Sequence, residues 1–118
     1  MAIEAQKTQK KIWKVRIAKP YPDAHNHLIV GRVLGLNDAF VRMDCRTFHF
    51  GTAVAGPKNI KSGERGLRII PWHRVEIVNE LPSDFAFDIA TLTAENQSVI
   101  LTDNKSKCLI SAAYESSY

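Results

Sequence analysis

The sequence predicts a mainly β protein whose body is one small, strongly bent, five-stranded antiparallel sheet. Three observations predict it. Side chains alternate with period two in residues 12–17 and 41–46, the signature of a half-buried strand. Between them lies a nearly continuous apolar run, His27 to Leu36, interrupted by Gly31 and Gly35, as expected of a strand covered on both faces that bends at its glycines. Finally, a chain of 118 residues with 45% hydrophobic and 24% charged residues has ordinary globular composition and no obvious interior helix. One domain, 1–118, is expected, in three parts: a basic arm (1–11), the sheet (12–81) and an acidic extension (82–118). A chain this short buries only about two thirds of its unfolded surface, so self-association would add useful burial.

Taken in order, residues 1–11 are polar and carry Lys7, Lys10 and Lys11, which suits a short helix or a disordered arm. The first strand sets Ile12, Lys14 and Arg16 on one side and Trp13, Val15 and Ile17 on the other. Pro20, Pro22, Asp23 and Asn26 make a turn, and Asn37-Asp38 makes a second, tighter one after the apolar strand. Val41, Met43 and Cys45 then alternate with Arg42, Asp44 and Arg46, and the strand runs on to Phe48 and Phe50. Gly51 to Gly66 reads as a long basic loop carrying Lys58, Lys61 and Arg65. Two further apolar runs, Leu67 to Ile70 and Val75 to Val78, flank Pro71, where the missing N–H predicts a bend or a strand end. Beyond Pro82, Asp84 to Ala94 fits helix and strand equally, and Val99 to Leu101 with Cys108 to Ile110 predicts a hairpin turning at Asp103-Asn104.

Charge is unevenly placed. Residues 1–75 carry 14 Lys or Arg against five acids, whereas 76–118 carry two Lys against seven acids. Such a basic body attracts phosphate backbones, or is a solubilising surface. Cys45 and Cys108 form no CxxC pair and no dense disulfide framework. With no signal peptide pattern and no apolar run near about 18 residues, a cytoplasmic protein with free thiols is expected.

Motifs for catalysis are missing from this chain. Asp23-Ala24-His25-Asn26-His27 has the D-x-H-x-H form of metal-dependent amidohydrolases, but those sites stand on (β/α)₈ barrels of about 250 residues, and no carboxylate cluster completes one here. Exposed histidines in a turn are the expectation. There is no P-loop, nucleophile elbow, GxGxxG or HExxH, and Cys45, in mid-strand, reads as a packing residue. No enzyme activity, cofactor or metal is therefore expected.

Gly31-Arg-Val-Leu-Gly-Leu-Asn-Asp-Ala-Phe-Val-Arg-Met43 resembles the first Sm motif, and Asp38-Ala39-Phe40-Val41 is similar to the D-Q-F-V stretch of the bacterial Sm-like protein Hfq. Ile69-Ile70-Pro-Trp-His-Arg-Val-Glu-Ile77 resembles the second motif, with His73-Arg74-Val75 where Hfq has H-A-I. The resemblance spans residues 12–81 and extends to marine metagenomic Sm-like proteins of the kind phages encode. It implies an Sm barrel with an N-terminal helix, closed into a homo-oligomeric ring of five, six or seven subunits. The implied role is non-catalytic binding of single-stranded RNA, or DNA, in nucleic-acid processing or chaperoning. A structural or protein-interaction ring without nucleic acid is the alternative. Val41 stands near the expected Asn, and Pro71-Trp72 replaces both the Arg-Gly of eukaryotic Sm proteins and the Tyr-Lys of Hfq, which argues against a standard uridine pocket.

The residues themselves suggest a binding site where two turns meet in a bent sheet: Asn37, Asp38 and Phe40 on one side, Trp72, His73 and Arg74 on the other. Aromatic faces stack bases, amides and carboxylates read base edges, and Arg holds phosphate. Lys7, Lys10 and Lys11 of the arm, with Lys58, Lys61 and Arg65 of the loop, are expected to add flexible phosphate contacts without sequence choice.

Overall fold

The computed structural model describes residues 11–20, 25–50, 60–95 and 98–112. Nine strands occur among them: β1 (Ile12–Ile17), β2 (Asn26–Leu36), β3 (Phe40–Phe50), β4 (Ile60–Ser62), β5 (Gly66–Pro71), β6 (Val75–Leu81), β7 (Thr91–Glu95), β8 (Ser98–Thr102) and β9 (Lys107–Ala112). The five expected strands are β1, β2, β3, β5 and β6. All pairings are antiparallel, in the order β4-β3-β2-β1-β6, and β5 shares the long β3 with β4. β5 takes the N-terminal half of β3, Phe40 to Cys45, and β4 takes Phe48 to Phe50. No ladder joins β5 to β6 among the described residues, so the sheet is bent but open.

Pro71 does end a strand. Its φ of −64° leads into a single 3₁₀ turn, Trp72–Arg74, that joins the two edge strands β5 and β6. Gly31 is the point of closest approach in the bend. It pairs with Trp13 on one side and Cys45 on the other, and a Cβ placed there would lie 2.5 Å from the Cα of Cys45. A register shift between Val33 and Gly35 adds to the distortion near the end of β2.

Both faces of the sheet are covered, as the apolar run of β2 requires. Val15, Ile17, Ile29, Val33, Val41, Met43, Cys45 and Ile70 form the inner core, with Trp13, Trp72, Val75 and Val78 packed against it. Ile12, Leu28, Val30, Phe48 and Phe50 on the outer face meet Phe85, Phe87, Ala90, Leu92, Val99 and Leu101. The acidic extension is thus a lid on the outer face: turns from Pro82 to Ala90, then the three-stranded meander β7-β8-β9. The expected hairpin is β8-β9, with Asn104 at φ 77° in its turn, and the ambiguous stretch 84–94 resolves into turns followed by β7.

Two side chains fix this lid. Arg46 on β3 donates from Nη1 to the carbonyls of Phe87, Asp88 and Ala90, at 3.4, 3.2 and 2.7 Å. Asp103, 1% exposed, accepts from the backbone N–H of Ala86, Lys105 and Ser106, and these bonds hold its carboxyl down at about 2.

Two expectations need correction or fall outside the described residues. The basic loop contains β4, because Ile60 packs against the outer core and pairs with Phe50. The helix or arm at the N-terminus, with Lys7 and Lys10, and the loop residue Lys58 lie outside the described residues.

Candidate nucleic-acid interface

The turns at 37–40 and 72–74 do come together. The Asn37 side chain accepts from the backbone N–H of Ala39 (2.8 Å) and Phe40 (3.0 Å), closing the turn on itself. The Trp72 indole N–H donates to the Asn37 carbonyl at 2.6 Å, and the Trp72 backbone N–H donates to that of Ala39. Its ring packs on the inner core, 6.5 Å from that of Trp13. Asn37 and Trp72 therefore spend their polar groups joining the turns to each other. Phe40 is half-buried at the start of β3, while Asp38, His73 and Arg74 are exposed.

Arg74 points the site in another direction. With Ile17, Ala18, Lys19, Pro20, His25, His27 and His49 it lines a cavity of about 250 Å³. With His27, Arg68, Ile69 and Pro71 it borders an adjoining one of about 310 Å³. Together these form a groove at the ends of β1 and β2 that offers three permanent cations, three imidazoles and no carboxylate among its lining residues.

His27 and His49 are directly opposite in the β2–β3 register and stack, with ring centroids 4.2 Å apart and planes inclined by 22°. Burial first, then His49, Arg68 and Arg74, lower the His27 pKa from the ordinary 6.5 to about 4. Burial, His25 and Lys61 also lower that of His49. The His27 Nε2 is buried without a hydrogen-bond partner among the described residues. Arg68 is anchored by donation to the Cys45 carbonyl at 3.2 Å, and burial pushes the Cys45 thiol up.

These shifts predict a stability loss in acid. A depressed histidine pKa means that the unfolded chain takes the proton first, so His27 costs stability as the pH falls from 6.5 toward about 4. The thermal midpoint should fall across this window more in the parent than in His27→Gln. Equal slopes would show that the imidazole is not held neutral by the fold.

The expectation of exposed histidines in a turn holds for His25 and is corrected for His27, which lies in β2 and is half-buried. No group of three or more His, Cys, Asp or Glu able to hold a metal occurs among the described residues. The supposedly flexible cations are partly committed. Arg65 grips Asp44 through two hydrogen bonds, at 2.9 and 2.7 Å, and lies 5.0 Å over the Phe87 ring. Lys11 pairs with Glu80 at 3.1 Å, and Lys61 is exposed on β4. Arg65 and Arg32, with Asp84 and Asp88, line a cavity of about 430 Å³ under the lid whose charges are mixed. Sequence reasoning weighed His27 only as part of a metal-like motif and missed His49 and Arg68, because only the strand pairings bring them together.

Compared with known proteins, the chain matches no family model, no curated protein and no solved structure. Among the described residues no helix is long and apolar enough to cross a membrane.

Proposed function

We propose that this protein is a non-catalytic binder of single-stranded nucleic acid, RNA or DNA, working as an Sm-like homo-oligomeric ring. The observation that carries the reading is the groove holding Lys19, Arg68, Arg74 and three imidazoles, with no carboxylate among its described residues. Fixed cations of this kind bind phosphates, and a ring multiplies modest contacts through effective concentration. The strand order supports the Sm-like part, with a 3₁₀ turn joining the two edge strands of a bent sheet. So do Leu67, Ile69 and Ile77, exposed on those edges where a neighbouring subunit would pair. These same edges suit the second reading, a ring that binds only protein.

Oligonucleotide binding measured across a salt series separates the two. Arg74→Ala should weaken binding to all sequences and reduce the slope of log affinity against log salt by about 0.7, the loss of one phosphate contact on a single strand. Lys61→Ala tests the β4 cation in the same way. An unchanged slope in Arg74→Ala would remove the groove as the interface.

A further inference from the structure

We propose that His27 is a conditional phosphate ligand, which takes up a proton when a phosphate group of a single-stranded nucleic acid settles between it, Arg68 and Arg74. The inference rests on the nucleic-acid reading above and adds the group that responds to the ligand. Its basis is geometric. The buried Nε2 of His27 lacks a partner among the described residues, and the imidazole borders both cavities of the groove with Arg74. The ring stacks on that of His49.

The groups around this imidazole act in one direction. Lys19 follows β1, His25 precedes β2, His49 stacks from β3, Arg68 comes from β5 and Arg74 from the 3₁₀ turn, while Lys61 on β4 acts on His49. Among the described residues no carboxylate lines the groove to favour the imidazolium. The ring is therefore held neutral, and its buried nitrogen has no partner among the described residues. A phosphate reverses the balance: its negative charge offsets the two guanidinium groups, and a protonated Nε2 donates a charge-assisted hydrogen bond to a phosphate oxygen. Proton and phosphate then bind cooperatively, since whatever raises the bound-state pKa tightens binding as the pH falls.

If the bound phosphate restores His27 to an ordinary histidine pKa, affinity should rise about tenfold from about pH 7.5 to about pH 5.5. The probe is a short uridine oligonucleotide, which carries no group titrating near neutrality, so any proton taken up belongs to the protein. Calorimetry near pH 6 in two buffers of different ionisation enthalpy counts those protons. Imidazole NMR follows His27 directly in the parent chain, with and without the oligonucleotide, and depends on no variant folding. The expected result is net proton uptake, an upward shift of the His27 titration on binding, and loss of the tenfold gain in His27→Gln. Binding that is tight but independent of pH, with His27 unmoved, would overturn this proposal and leave the nucleic-acid reading standing. Proton uptake that persists in His27→Gln would overturn the assignment to His27. Absence of binding at either pH would overturn both.

Discussion

Gly31→Ala is expected to prevent folding or to cost on the order of 3 kcal/mol or more, although it adds a single methyl group. The new Cβ would lie 2.5 Å from the Cα and Cβ of Cys45 and closer still to the Asp44 carbonyl oxygen. These obstacles are backbone or buried core. Cys45 is fully buried, and Gly31 lies between β1 and β3, paired in register with both. Relief would require β2 and β3 to separate at the bend, opening the inner core around Val33 and Met43. Gly66→Ala supplies the contrast. There the nearest obstacle is the Arg68 guanidinium at 3.2 Å, the far end of a long side chain and not backbone, so a smaller change is expected even though it must shift against the Cys45 carbonyl. Urea midpoints of the two variants, read by circular dichroism, make the comparison. A Gly31→Ala protein as stable as Gly66→Ala would show that the strands do not approach as closely as described.

The features legible in the sequence were those set by local pattern. Alternation located β1 and β3, the double-sided apolar run located β2, and Pro71 marked the end of β5. The meeting of the two turns also followed, because a sheet bent at Gly31 returns its chain toward Asn37 and Trp72. What covered the second face of β2 did not follow. Phe85, Phe87, Leu92 and Leu101 lie scattered through an acidic stretch without a single period, and their common target appears only when the lid folds back on Leu28 and Phe48. Arg46 shows the same limit: alternation placed it opposite the inner core, but its three carbonyl partners lie 41, 42 and 44 residues away. His27 was legible only as part of a metal-like motif. Its stacking partner His49 is fixed by the β2–β3 register, which a two-residue turn at Asn37-Asp38 permits but does not by itself determine. Arg65 and Lys11 read as free cations because charge pairs across strands have no signature in sequence.

Leu67→Lys combined with Ile77→Lys is expected to convert an assembled parent into a 13.3 kDa monomer in which the fold is retained. Ile69 on β5 and Ile77 on β6 are 62% and 54% exposed, and Leu67 is 63% exposed, so none of the three holds the monomer's own core together. Among the described residues each belongs to a strand paired on one side only, β5 with β3 and β6 with β1. A free edge beside an apolar side chain is costly to leave in water, and pairing β5 of one copy with β6 of the next satisfies both edges at once. Fully burying one leucine or isoleucine stabilises by about 1.5–3 kcal/mol, so replacing one of each at every junction with lysine removes most of that term and sets like charges against each other. Light scattering coupled to size exclusion reads the mass, and far-UV circular dichroism checks that the strands persist. A parent that is already monomeric at about 100 µM would refute the ring, since a specific interface should be populated well below that concentration. A monomeric variant has a further use, because its groove residues are untouched. Its affinity for an oligonucleotide long enough to cross several subunits should fall by about 10²-fold or more relative to the parent, while its affinity for one short enough to fill a single groove changes little. Equal losses for both lengths would mean that the substitutions damage the groove itself, and that binding owes nothing to assembly.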